Sequence, residues 1–188
     1  MQRFAALFLL AAATLTVASA QTDKKKFATP NAKSPAAESS VTINGKEIWM
    51  VYHAPSVNGR KIFGAKDSLQ PEDSLWRGGA DWATFLHTDA ALDLNGTTLP
   101  PGEYTLFIAL DKGKWDLIVN SQTGQWGIKR DGSANFDPAK NVAKVPMTMA
   151  KEPSPVETLK WTLSSAGNKG TLKLEWENVS ASVNFTAK

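Results

Sequence analysis

Apolar and polar side chains alternate strictly along the segment from Thr171 to Glu177. Leu172, Leu174 and Trp176 fall on one side of this segment and charged residues fall on the other, which is the two-residue period of a half-buried β-strand. No stretch of the chain combines a 3.6-residue apolar period with helix caps. The chain therefore has to bury its apolar side chains by packing strands.

Short apolar-rich runs recur along the rest of the chain, and turn residues separate them. Asn44-Gly45 predicts a tight hairpin, because these residues accept positive φ angles at low cost. Tyr104–Leu110 is apolar on both faces and predicts a central strand, whereas Pro146 predicts an edge strand. A change of phase near Asn178 predicts a turn and a C-terminal hairpin. Further strands are predicted at Val41–Ile43, Glu47–His53, Leu92–Leu94, Trp115–Val119, Val142–Met149 and Leu159–Leu163.

These patterns predict an all-β fold, an antiparallel β-sandwich or jelly roll in a single domain, with a closed barrel as the alternative. Residues 1–20 have the positive charge, apolar run and small-residue end that predict a signal peptide, and residues 21–40 are predicted to be a flexible Lys-, Pro-, Ser- and Ala-rich linker. The domain is predicted at residues 41–188. The chain has no cysteine, so we expect a bacterial protein exported to the periplasm or secreted, without disulfides and without a membrane-spanning segment after cleavage.

The excess of basic over acidic residues comes from the N-terminal part of the chain. Five of the 21 basic residues and two of the 18 acidic residues precede Val41, which leaves 16 of each sign in the predicted domain. A formally neutral domain has no net positive field for a polyanion, so we expect no nucleic-acid partner.

Short motifs follow one another in a fixed order along most of the chain. They are Pro55-Ser56-Val57, Gly59-Arg60, Ile62-Phe63-Gly64, Trp76-Arg77, Gly79-Ala80-Asp81, Leu99-Pro100, Tyr104–Phe107, Gln125-Trp126-Gly127 and Leu172–Glu177. This series resembles the bacterial domain of unknown function 2911 family, from about Ser39 to Phe185. The resemblance implies an exported, single-domain β protein and assigns no activity, substrate or cofactor. The chain departs from the family pattern at Gln70–Asp73 and Gly78–Trp82.

Polar and aromatic side chains gather between Pro55 and His87, where the strand pattern is interrupted. An arginine guanidinium binds a carboxylate or phosphate through two parallel hydrogen bonds, and an indole stacks on the face of a ring or sugar. The alternative is that an arginine pairs with Asp81 and ties two loops together. The candidate ligand-binding residues are Arg60, Arg77, Asp81, Trp76 and Trp82.

His53 and His87 are the two histidines of the chain and are secondary candidates. With Asp81 or Asp89 they could supply a general base or metal ligands, although their spacing matches no metal motif. No Gly-x-Ser-x-Gly sequence is present, and Gly78-Gly79 lacks the continuation of a phosphate-binding loop.

We therefore expect a non-catalytic binding domain for a small polar or anionic ligand, with a saccharide as one option, and we expect no metal and no cofactor. The first alternative is a hydrolase or isomerase that uses histidine and aspartate in acid–base or metal chemistry. The second is a structural or interaction protein of the cell envelope.

Overall fold

The computed structural model of the protein describes residues 32–188. The predicted signal peptide, residues 1–20, and residues 21–31 of the predicted linker lie outside the described residues. No helix within the described part of the chain is long and apolar enough to cross a membrane.

Apart from a 3₁₀ turn at Pro138–Lys140, the regular structure of residues 32–188 is β-strand. Strands β1 to β13 span Ala36–Ile43, Lys46–His53, Phe63–Gly64, Gln70–Pro71, Ser74–Trp76, Ala80–Thr88, Leu92–Leu94, Thr97–Leu99, Gly102–Asp111, Lys114–Asn120, Asn141–Pro146, Thr148–Ala166 and Lys169–Ala187.

Two antiparallel sheets form a sandwich, which confirms the predicted fold class. The larger sheet has the order β1-β2-β6-β9-β10-β11, with β5 also paired to β9, and the smaller sheet has the order β12-β13-β7-β8. Strands β3 and β4 make a short parallel pair outside both sheets. As Pro146 predicted, its strand β11 lies at the edge of the larger sheet.

The main core lies between the sheets and is rich in large side chains. Strand β9 is buried on both faces, since Leu106 and Ile108 pack in the main core and Phe107 packs in a second cluster on the outer face. Both Trp161 and Trp176 contribute from the smaller sheet and are almost inaccessible. Burial of large aromatic rings supplies the stabilisation that a chain without disulfides needs.

One predicted turn is wrong. Residues 169–187 form one continuous strand, β13, instead of a hairpin with a turn near Asn178. Glu177 has a φ of 55° and its pairing with β12 is irregular there, so the strand contains a bulge. The extra residue of the bulge shifts the alternation of buried and exposed side chains by one position. Before the bulge the buried residues are even-numbered and end at Trp176, and after it they are odd-numbered and begin at Ala181.

The predicted start of the domain at Val41 is also too late. Strand β1 begins at Ala36 and pairs with β2 along its whole length, so residues 36–40 belong to the sheet and not to the linker.

Candidate functional site

Strands β5 and β6 follow the same edge of β9, and residues 77–83 lead away from that edge and back. This segment, here called the β5–β6 loop, consists of the connection at residues 77–79 and the first four residues of β6, which do not pair with β9. The pairing of β5 with β9 stops at Trp76 and the pairing of β6 with β9 resumes at Thr84, two positions further along β9. The N–H of Thr84 donates to the carbonyl oxygen of Arg77 at 3.2 Å and closes the loop. The edge of a rigid sheet therefore fixes both ends of the loop.

Two tryptophan side chains of the core hold this loop by its backbone. The indole Nε1 of Trp161 donates to the carbonyl oxygen of Gly78 at 2.7 Å, and that of Trp76 donates to Gly79 at 3.0 Å. Gly78 has a φ of 66°, and a Cβ on Gly79 would lie 3.0 Å from the carbonyl oxygen of His53. Both positions therefore favour glycine, one through its backbone angle and the other through lack of space.

Arg77 connects the β5–β6 loop to residues 121–137, the β10–β11 loop. Its Nη1 donates to the carbonyl oxygen of Trp126 at 3.1 Å, and its guanidinium carbon lies 5.5 Å from the centre of the Trp126 ring. A Cβ on Gly127 would approach the Arg77 side chain to 2.9 Å. The buried side chain of Gln125 anchors the β10–β11 loop to β9. The contacts with Trp126 and the close approach of Gly127 thus fix the position of the guanidinium.

A cleft of about 460 Å³ opens beside this arginine. Arg60, Arg77 and Asp81, which the sequence singles out together, all line it, and the segment Lys33–Pro35 supplies a further wall. Small-molecule sites commonly have volumes of several hundred Å³. The fold therefore places the three charged candidates around one space large enough for a ligand.

Neither arginine of the cleft has a carboxylate partner within ion-pair distance among the described residues. Arg60 donates from Nε to the carbonyl oxygen of Val57 at 3.0 Å and also contacts the carbonyl oxygen of Ser56. Asp81 accepts the backbone N–H of Ser34 at 3.3 Å. The alternative in which Asp81 locks the loops by direct pairing with Arg77 does not match these contacts.

Burial lowers the pKa of the Arg77 guanidinium, and the nearby Asp81 carboxylate partly offsets that effect. Arginine remains charged under such shifts, because its ordinary pKa lies above 12. Asp81 itself has a φ of 55°, a left-handed backbone angle that is uncommon outside glycine. The cleft thus carries a partly desolvated, permanent positive charge next to a residue held in an uncommon backbone conformation.

Trp176 forms part of the cleft lining although its side chain is fully buried. Its indole N–H has no hydrogen-bond partner among the described residues. The N–H groups of Trp76 and Trp161 do have partners. A buried donor without an acceptor is unfavourable, so this N–H carries a desolvation cost that those of Trp76 and Trp161 do not.

The aromatic candidates differ in accessibility. Trp76 is only 3% exposed and stacks on Trp176, so its indole is part of the core. Trp82 is partly exposed and makes an edge contact with Trp126, which is 41% exposed. Trp82 and Trp126 are therefore the indoles that lie at the surface near Arg77.

The two histidines do not come together. His53 is 1% exposed at the end of β2, whereas His87 stacks on Trp49 and contacts Asp89. His87 pairs with Trp49, which is four positions along β2 from His53, a distance of roughly 13 Å at the rise of a strand. Among residues 32–188, no three histidine, aspartate or glutamate side chains form a group that could hold a metal.

Several residues of this site were not predicted as site residues. Trp126 and Gly127 shape the position of Arg77, Trp176 contributes the unpartnered N–H, and Ser34 lies in the predicted linker. The sequence does contain a signal for Trp126 and Gly127. They belong to the Gln125-Trp126-Gly127 motif, which is one of those that carry the family resemblance and which matches no strand pattern.

Comparison with known proteins identifies a family and nothing more specific. The model of a family described as "Protein of unknown function (DUF2911)" matches residues 34–185. No curated protein and no solved structure matches the chain.

Proposed function

The chain belongs to the DUF2911 family, and we propose that its cleft binds a small anionic ligand without catalysing a reaction on it. One observation carries the proposal: Arg60 and Arg77 line the same cleft, and no described carboxylate pairs with either of them. Guanidinium groups with free N–H donors bind carboxylate and phosphate oxygens through strong, charge-assisted hydrogen bonds.

The net charge of the lining supports an anion over a neutral ligand. Lys33, Arg60 and Arg77 contribute positive charge, and Asp81 is the acidic residue of the lining. The unpartnered N–H of Trp176 adds a neutral donor. Carboxylate and phosphate oxygens are the acceptors that such cationic donors bind most strongly.

The experiment is a screen of carboxylates, phosphates and sugars by thermal shift, followed by calorimetry on each hit. We expect the hits to be anions. Arg77→Ala should weaken binding by about 10- to 100-fold, the value of a charged hydrogen bond, and Arg60→Ala should weaken it less. Trp176→Phe should also lower the affinity, because it removes a donor while keeping an aromatic ring.

Arg130 offers a matched control, since it is an exposed arginine in the β10–β11 loop that does not line the cleft. Arg130→Ala should leave the affinity unchanged. Thermal melts of the free variants separate loss of binding from loss of folding, and Arg77→Lys tests whether charge alone suffices. A hit whose affinity is unchanged in Arg77→Ala would refute the site.

A further inference from the structure

A second cavity of about 350 Å³ adjoins the anion-binding cleft. The two share Leu69, Gln70, Arg77 and Gly79 in their linings, so they meet at Arg77. Arg77 therefore forms part of the wall of both spaces.

The second cavity differs from the first in chemistry. Pro71, Leu75 and Ile128 contribute to its lining together with the shared Leu69, and Arg77 is its one charged lining residue. The charged lining residues other than Arg77 thus belong to the cleft, whereas Pro71, Leu75 and Ile128 belong to the second cavity.

Exposed apolar side chains concentrate at this same place. Leu69, Trp126 and Ile128 are the large hydrophobic residues that exceed a third exposure within the described part of the chain, at 42%, 41% and 38%. Leu69 and Ile128 line the second cavity, and Trp126 packs against Arg77. A local group of exposed large apolar side chains is typical of a binding surface.

We propose that the ligand is an amphiphilic anion, a carboxylate or phosphate that carries an alkyl chain or an aromatic ring. Its charged end lies in the cleft at Arg60 and Arg77, and its apolar part covers Leu69 and Ile128 in the second cavity. This inference rests on the proposed function, because Arg77 is the residue that both spaces share.

The test is a calorimetric series on the full mature chain with acetate, butanoate, hexanoate and octanoate, each against wild type, Ile128→Ser and Leu69→Ser. We expect the affinity to rise with chain length by up to about fourfold per buried methylene. Both serine variants should flatten that rise, and Ile128→Ser, whose residue lines the second cavity and not the cleft, should leave the affinity for acetate unchanged. Lys129→Ser, an exposed change in the same loop, should behave as wild type.

Gluconate is the matched hydrophilic probe, with the same charged group on a polyhydroxyl chain. If gluconate binds better than hexanoate, or if affinity does not depend on chain length while Arg77→Ala still weakens binding, the apolar subsite is refuted and the proposed anion site stands. If no carboxylate and no alkyl phosphate binds the wild-type protein, the proposed function itself fails.

Discussion

The indole Nε1 of Trp161 and the carbonyl oxygen of Gly78 form a 2.7 Å hydrogen bond across 83 residues of sequence. The bond joins a core residue of the smaller sheet to the loop that leaves the edge of the larger sheet. It therefore couples the packing of the sandwich to the position of the neighbouring Arg77.

Trp161→Phe should destabilise the protein more than Trp176→Phe. Both substitutions remove the same atoms from a fully buried side chain, but only the Trp161 N–H has an acceptor. We expect a difference of about 1–3 kcal/mol in the free energy of unfolding, measured by urea denaturation. Equal losses would show that the bond to Gly78 contributes nothing.

Gly127→Ala should cost more stability than Gly132→Ala in the same loop. The two glycines have nearly equal φ angles, 85° and 86°, but a Cβ on Gly127 would meet Arg77 and Ala83, while one on Gly132 would meet nothing within 4 Å. Both variants carry about 1–2 kcal/mol of backbone strain, and the overlap adds about 1–3 kcal/mol at Gly127. Chemical denaturation measures both, and anion binding should weaken in Gly127→Ala alone.

Acidification should destabilise the protein through His53. Burial lowers the pKa of this imidazole below its ordinary 6.5, Asp81 partly opposes that effect, and Arg77 adds to it. The unfolded chain therefore takes up the proton first, so the stability due to the neutral form is complete above pH 6.5 and is lost as the pH falls toward the folded-state pKa.

Melting temperatures between pH 8 and pH 5 test this dependence, because carboxylates titrate mainly below that range. The slope should diminish in His53→Gln, which cannot be protonated, and persist in His87→Gln. An unchanged slope in His53→Gln would assign the pH dependence to another group.

Gly170→Ala should be more harmful than Gly167→Ala at the turn between β12 and β13. A Cβ on Gly170 would overlap three atoms of the Phe185 ring, whereas Gly167 has a φ of 62° and open space around it. Fitting a Cβ against three ring atoms costs about 1–3 kcal/mol and has to displace Phe185, compared with about 1–2 kcal/mol for the left-handed backbone angle at Gly167. Thermal denaturation gives the melting temperature of each variant. A melting temperature of Gly170→Ala equal to that of the wild type would contradict the contact with Phe185.

Local chemistry explains the parts of the fold that could be predicted. Asn44 and Gly45 have the positive φ angles, 52° and 75°, that their sequence predicts, and β1 and β2 pair directly across them. By contrast, the phase change near Asn178 indicates either a turn or a bulge, because both alter which residues face the core. Long-range pairing of β13 with β12 decides between the two, and the local sequence does not contain that information.

Only part of the candidate site could be predicted from the sequence. Arg60 and Arg77 lie in a region that breaks the strand pattern, so their neighbourhood could be identified, and the structure places both at one cleft. The roles of Trp161 and Gly127 depend on contacts between segments that are far apart in the chain. Spacing along the sequence does not report such contacts.

Residues 33–35 belong both to the wall of the cleft and to the approach to β1, since Ser34 bonds to Asp81 and Pro35 accepts the N–H of Ala54. Binding free energies at connected sites are reciprocal. Under the proposed function, an interaction that favours this position of residues 33–35 changes the affinity of the cleft for its anion. The anion then changes the strength of that interaction by the same factor, so the position of residues 33–35 would respond to occupancy of the cleft.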